Sequence, residues 1–241
     1  MLQLPFSEAF NINFQSRPFK LLAKAQFIKK PPVQKIFPEW DINKVLTSLT
    51  ITSSERSTKK NYFLKTIFLV ALASGNRASE LAATSRDGLV YTNNKVILPV
   101  LESFKYKNQN IERNPPPIEF PILKNHPLCP GNAVKEYVEL TKDDPHNGHL
   151  FVSPITGKPL PAGRISYWIT RAIMISHPDL KPRGHDVRKV AHSISFSRGT
   201  PLNQVIDRGF WSDSNVFYNK YNVPIPKCIE KCVAGRSVIV R

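Results

Sequence analysis

Residues 61–74, NYFLKTIFLVALAS, constrain the fold of this chain more than any other stretch. A helix that is apolar nearly all round has no face to offer water, so it must run through the middle of a core with other elements packed about it. It falls short of the roughly 18 residues of a membrane span, and no longer apolar run occurs elsewhere. Gly75 follows as a helix-ending residue, and NRASELAAT begins a short helix directly after it. Upstream, Asp41 can cap a helix over INKVLTSLT, and the polar stretch SSERSTKK separates that helix from the central one.

Past Gly88 the pattern shifts to β. GLVYT, KVILPVL and IEFPIL read as short strands, divided by polar turns and the run Pro115 to Pro117, and together they suit a small antiparallel sheet. After Pro130 helices return in GNAVKEYVELTK, AGRISYWITRAIMIS, GHDVRKVAHSISFSR, PLNQVIDRGF and SDSNVFYNKY, with a short apolar HLFV between the first two. The expected class is mainly α with a small antiparallel β-sheet, α+β in type. No internal repeat is visible, and most of the 21 prolines fall between elements. Residues 1–38, with Lys29, Lys30, Pro31, Pro32 and Pro38, cannot hold one continuous helix and read as a linker or the remnant of an upstream unit. Residues 39–223 read as the main domain and 224–241 as a tail.

Charge narrows the choice of partner. Lys and Arg number 34 against 18 Asp and Glu, a formal net charge of +16. The positive charge is spread along the chain rather than gathered on one amphipathic helix or a terminus, which points to nucleic acid over a membrane surface. Cys129, Cys228 and Cys232 form no CxxC pair and have no neighbouring His at zinc-ligand spacing, which argues against a zinc finger or a disulfide scaffold. The opening MLQLPFSEAF lacks both a basic n-region and an apolar h-region, so the expected location is intracellular, and nuclear in a eukaryote.

Four separated pieces carry the chemistry. SGNRASEL holds Arg77, FKYKNQ holds Lys105 and Lys107, GHDVRKVAHS holds His185 and Arg188, and GFWSDSNVFYNKY holds Trp211 with Tyr221 ten residues beyond it. In order and spacing these resemble the active-site boxes of the tyrosine recombinase and integrase family. The resemblance covers roughly residues 19–223 and is closest to the recombinases of DIRS-like retrotransposons and crypton-like elements, through FKLLAKAQFIKKPP, FPEWDINKVLTSL, KNQ before a proline run, and the Trp-to-Tyr spacing. It implies a tyrosine recombinase catalytic domain over residues 39–223, preceded by what remains of a core-binding domain. The tail would be either an arm exchanged between subunits or a loose terminus. It also implies site-specific cutting and rejoining of double-stranded DNA through a 3′-phosphotyrosine, for integration or excision of a mobile element, without metal or cofactor. The chain would be monomeric alone and tetrameric on DNA.

The reaction itself asks for these residue types. Transfer of a phosphodiester to tyrosine passes through a crowded phosphorane, whose non-bridging oxygens match planar guanidinium forks, here Arg77 and Arg188. The 5′ oxygen leaves as an alcohol and needs a proton, which a lysine lowered in pKa by nearby cations can supply; Lys107 is the candidate. Tyrosine ionises only near pH 10, so the arginines and an imidazole, His185, must favour its phenolate as it attacks. His185 and Arg188 are three apart and share a helical face. Trp211 has an indole N–H to offer a phosphate and a ring to pack against the site.

Plainer readings stand beside these. Arg77 can be a surface arginine at a helix start, and His185 with Arg188 an ordinary polar face. Glu80 reads as a structural partner, and His192, two turns beyond His185, as a core residue. Tyr218 competes with Tyr221 as nucleophile, and Lys105 has the same strand parity as Lys107. Three rival functions remain: a non-catalytic DNA-binding derivative, a type IB topoisomerase-like enzyme, and an RNA-binding protein that uses only the charge.

Overall fold

The computed structural model describes residues 38–54, 59–105, 117–124 and 126–225, with positions 16–18, 21 and 25 ahead of them. The chain divides into two compact units, Met1–Lys35 and Ile36–Arg241. All elements named below lie in the second.

Helices α1 (Ile42–Ser54), α2 (Lys59–Ser74) and α3 (Ala78–Ala82) come first. Strands β1 (Val90–Tyr91), β2 (Lys95–Leu98) and β3 (Ile118–Pro121) follow, then α4 (Pro130–Leu140), α5 (Ala162–Met174), α6 (Gly184–Ser197), α7 (Leu202–Gly209) and α8 (Ser214–Lys220). This is the mainly α architecture with a small sheet expected from the sequence. The apolar stretch forms α2, every residue from Phe63 to Leu72 is buried, and α1, α4, α5 and α6 pack around it. Each large apolar side chain enclosed there contributes about 1.5–3 kcal/mol relative to exposure, which is why so uniform a helix is placed at the centre.

The three strands run antiparallel in the order β1-β2-β3, with Val96 opposite Phe120 and Leu98 opposite Ile118. Those four side chains are buried, so the alternation along β2 and β3 faces one side of the sheet into the core. On the other face Lys95 and Glu119 pair at 2.9 Å.

Local signals set the helix ends that matter for the site. Asp41 caps α1 by accepting the Asn43 N–H at 2.8 Å. Asp213 caps α8 by accepting the N–H groups of Asn215 and Val216. Gly75 closes α2 at φ +65°, its N–H donating to the Ala71 carbonyl. Phe210 ends α7 at φ +48°, a costly conformation for a residue with a side chain, and the turn brings Trp211 back under the end of α7. There Trp211, Phe217, Tyr221 and Val205 form a second apolar cluster beside the main core.

Candidate active site

Arg77, Glu80, His185, Arg188, Trp211 and Tyr221 come together from four parts of the chain. Arg77 is the N-cap of α3, and its backbone N–H and Nη1 donate to the two Glu80 carboxylate oxygens at 2.7 and 2.6 Å. Glu80 is buried, and its Oε2 also faces Arg188 Nη1 at 3.6 Å. One carboxylate thus serves two guanidinium groups, lessening their mutual repulsion and orienting both.

Arg188 is 2% exposed. Its Nη1 donates to the Gly75 carbonyl and its Nη2 to the Gly209 carbonyl, both at 2.6 Å. The guanidinium carbon lies 5.2 Å from the centre of the Trp211 ring and 5.3 Å from that of Tyr221. Its Nε–H is buried with no hydrogen-bond partner. Burial pulls the Arg188 pKa down from its ordinary value, Glu80 opposes that, Arg77 adds to it, and Tyr221 opposes it again. A buried donor without a partner costs about 1–3 kcal/mol and is rare in folded proteins.

Tyr221 is the first residue past α8 and is 8% exposed. Its ring stacks on Trp211 with centroids 4.5 Å apart and meets His185 edge-on at 5.6 Å. Ser193 Oγ donates to the Tyr221 carbonyl at 2.8 Å and accepts the Val223 N–H, fixing the chain on both sides of the ring. Tyr218 is 45% exposed and packs on Phe196 and Phe217 instead. The two tyrosines that the sequence leaves in competition therefore occupy different environments, and Tyr221 is the one among the arginines.

His185 keeps its outer face to solvent while its inner face meets Tyr221. Burial lowers its pKa, with Arg188, Lys189 and Arg77 adding to the effect and Asp186 opposing it. The imidazole is therefore neutral near pH 7 and able to accept a proton. Trp211 is 1% exposed with its indole nitrogen enclosed, so in this arrangement it packs against Arg188 and Tyr221 instead of presenting its N–H outward. Lys105 is exposed in the long connection between β2 and β3, whereas Lys107 and residues 226–241 of the tail lie outside the described residues.

The Gly75 and Gly209 carbonyls that hold Arg188 were not legible in the sequence. The Gly75 carbonyl accepts from Arg188 and also from His192 Nε2 at 3.0 Å, and His192 lies against Trp211 with centroids 4.8 Å apart. His192 is a core residue, as read from its spacing, but one that holds the loop carrying Arg77. A Cβ at Gly75 would sit 2.6 Å from His192 Nε2 at a backbone φ that disfavours side chains. Gly75→Ala is expected to cost about 1–3 kcal/mol in urea unfolding, and an unchanged midpoint would contradict this packing.

Burial pushes His192 down to about 3, Arg188 adding to it. The unfolded chain takes up that proton below about pH 6.5 and the folded chain does not, so stability rises with pH across the window from about 3 to 6.5 and is lost as pH falls through it. The slope from this one site approaches about 1.4 kcal/mol per pH unit. His192→Gln, measured by denaturant unfolding at several pH values, is expected to flatten the dependence; an equal slope would show that His192 does not carry it.

No protein-family model matches the chain, and no curated protein matches it in sequence. Solved structures do. The integrase of the Tn1549 transposon, in complex with transposon right end DNA, aligns with a TM-score of 0.58 at 14% identity over 98% of this chain and 76% of that one. XerA recombinase aligns at 0.57 and 14% over 96% and 79%. XerH site-specific recombinase bound to its difH substrate aligns at 0.55 and 16% over 86% of this chain, which spans only 56% of that protein. At such identities the likeness is one of fold: the chain has the mainly α architecture with a small antiparallel sheet seen in tyrosine recombinase catalytic domains.

Proposed function

We propose that this chain cuts and rejoins double-stranded DNA through a phosphotyrosine formed on Tyr221. The observation that carries the proposal is the buried Arg188, held by two carbonyls, stacked against Tyr221, and left with an unmatched Nε–H. That donor suits an oxygen of a scissile phosphate, and Arg77, fixed through Glu80, supplies the second guanidinium.

In this reading the Tyr221 oxygen bonds to phosphorus as the bond from phosphorus to the 5′ oxygen breaks, leaving a 3′-phosphotyrosine. Neutral His185, against the Tyr221 ring, takes the phenol proton. Lys107 gives a proton to the departing 5′ oxygen, with Lys105 as the alternative. Trp211 keeps Tyr221 and Arg188 in register by stacking. Attack by a 5′ hydroxyl on the phosphotyrosine reverses the step and rejoins a strand, so the bond energy is conserved without a cofactor. Helix α5, which packs against α3 and α6, exposes Arg164, Tyr167 and Arg171, and the Arg164 guanidinium lies 5.1 Å from the Tyr167 ring centre. That face suits phosphate contact beside the site, consistent with the charge of +16. The finer assignment is a recombinase of a DIRS-like or crypton-like mobile element, working as a tetramer on DNA.

The test is covalent capture on a nicked duplex whose cleaved fragment diffuses away, drawn from the ends of the encoding element or from a random pool, with chelator present. An adduct that survives denaturation is expected. The enclosure of Arg188 and of the Trp211 indole favours one second reading, a DNA-binding derivative whose site stays shut; salt-sensitive binding with no adduct across the pool would decide for it.

A further inference from the structure

Ser193 lies on α6, the helix that also carries His185 and Arg188, and is 1% exposed. Its Oγ donates to the Tyr221 carbonyl at 2.8 Å and accepts the Val223 N–H at 3.1 Å, across 28 and 30 residues of chain. Both bonds are buried, and both engage main chain that has just left α8. Helix α8 holds the same stretch through the Phe217 carbonyl, which accepts the N–H groups of Tyr221 and Asn222 at 2.8 and 2.9 Å. The main chain of Tyr221 is thus fixed from two helices, while the Trp211 stack limits where its ring can turn.

Ser193 follows Arg188 by five residues, about 7.5 Å along the helix axis. One rigid element therefore carries both the guanidinium whose carbon lies 5.3 Å from the Tyr221 ring centre and the hydroxyl that locates the main chain of that tyrosine. His185, on the same helix, meets the ring edge-on at 5.6 Å. In-line attack makes this spacing matter, since a misplacement of about 1 Å at a reacting atom can cost about 10²-fold in rate. A hydroxyl suits the position because it donates and accepts at once, whereas alanine would leave a buried carbonyl and a buried N–H without their partner.

We propose that Ser193 is a positioning residue for strand transfer, acting through the Tyr221 main chain to set the phenol oxygen in line with the scissile phosphate. This role rests on the reading of Tyr221 as nucleophile. The two directions of the reaction depend on Ser193 unequally. In cleavage the free phenol must find the phosphorus, and Ser193 supplies part of its alignment. In rejoining the Tyr221 oxygen is already bonded to phosphorus, which holds the tyrosine in place, and the DNA places the entering 5′ hydroxyl. Loss of the Ser193 hydroxyl therefore slows cleavage more than rejoining and lowers the share of covalent complex at equilibrium.

The experiment compares the full chain with Ser193→Ala, Ser193→Cys and Thr66→Val. Four quantities are read: single-turnover cleavage of the nicked duplex, rejoining from the isolated adduct with an added 5′-hydroxyl strand, affinity for the duplex, and Tm. Thr66 Oγ1 donates to the Ala133 carbonyl at 3.1 Å, a buried bond between α2 and α4, so Thr66→Val removes the same kind of contact without touching Tyr221. Ser193→Ala is expected to slow cleavage by about tenfold or more, with rejoining within about threefold and duplex affinity within about twofold of the unmodified chain. Thr66→Val should lower Tm and keep its cleavage rate. Ser193→Cys, whose thiol donates and accepts more weakly, should fall between serine and alanine; if Ser193→Ala does not fold, the cysteine variant read against Thr66→Val decides. Unchanged cleavage in the Ser193 variants, a fall that Thr66→Val shares in proportion to Tm, or equal losses in cleavage and rejoining would overturn the role of Ser193 while leaving Tyr221 as nucleophile. Absence of any adduct from the unmodified chain would instead overturn the reading of Tyr221, and the role of Ser193 with it.

Discussion

Tyr221→Phe is expected to abolish covalent capture of DNA, by about 10³-fold or more, because the hydroxyl that would bond to phosphorus is gone and water offers no substitute at that position. The change keeps the ring that stacks 4.5 Å from Trp211 and the backbone that Ser193 holds, so stability should move by no more than about 1 kcal/mol. DNA binding should persist at full strength. Tyr218→Phe, at a side chain 45% exposed and packed on Phe196 and Phe217, should leave capture within about twofold. The pair is read on one gel. Loss in Tyr218→Phe with capture retained in Tyr221→Phe would reverse the assignment.

Arg188 should be the next most sensitive position. Arg188→Ala removes both the bonds that hold the guanidinium and the unmatched Nε–H, and single-turnover cleavage is expected to fall by about 10²–10³-fold or more. Stability should fall as well, by about 3–5 kcal/mol, because Glu80 loses one of its cations and the Gly75 and Gly209 carbonyls lose their donors in a dry site. Arg188→Lys separates charge from shape. A lysine restores the positive charge beside Glu80, but one ammonium cannot bridge the two carbonyls that Nη1 and Nη2 now bridge and still present a further N–H. The account expects Arg188→Lys to recover much of the stability and little of the cleavage. If lysine restored cleavage to within a few fold, charge alone would be sufficient and the fork geometry would have no catalytic role.

Much of this architecture is legible in the amino-acid order. The uniform apolarity of residues 61–74 requires a central helix, and Gly75 marks its end through the positive φ that follows. The alternation in KVIL and IEFP, Val96 with Leu98 and Ile118 with Phe120, points one face of each strand inward. Arg77, Arg188, Trp211 and Tyr221 converge from three of the four pieces singled out in the sequence. What sequence reading could not supply is side-chain direction at the ends of helices. Tyr218 and Tyr221 share a face of any ideal helix, being three apart, and are separated only because α8 ends at Lys220 and the backbone turns Tyr221 onto Trp211. The Gly75 and Gly209 carbonyls were equally hidden, since a main-chain acceptor leaves no mark on residue identity. The glycines themselves were the available signal. At Gly209 an added Cβ would come within 2.4 Å of the Trp211 ring, as a Cβ at Gly75 would meet His192. Nor does spacing alone reveal that the Trp211 indole nitrogen faces inward, because that depends on the left-handed turn at Phe210.

The most direct test of the central claim is to locate the atom that holds the DNA. The captured adduct, trimmed with nuclease and protease, leaves a short nucleotide remnant on one peptide, and tandem mass spectrometry assigns the modified residue. The account predicts a 3′-phosphodiester on Tyr221 and on no other side chain. A remnant on Tyr218, on a serine, or attached through a 5′ phosphate would contradict it.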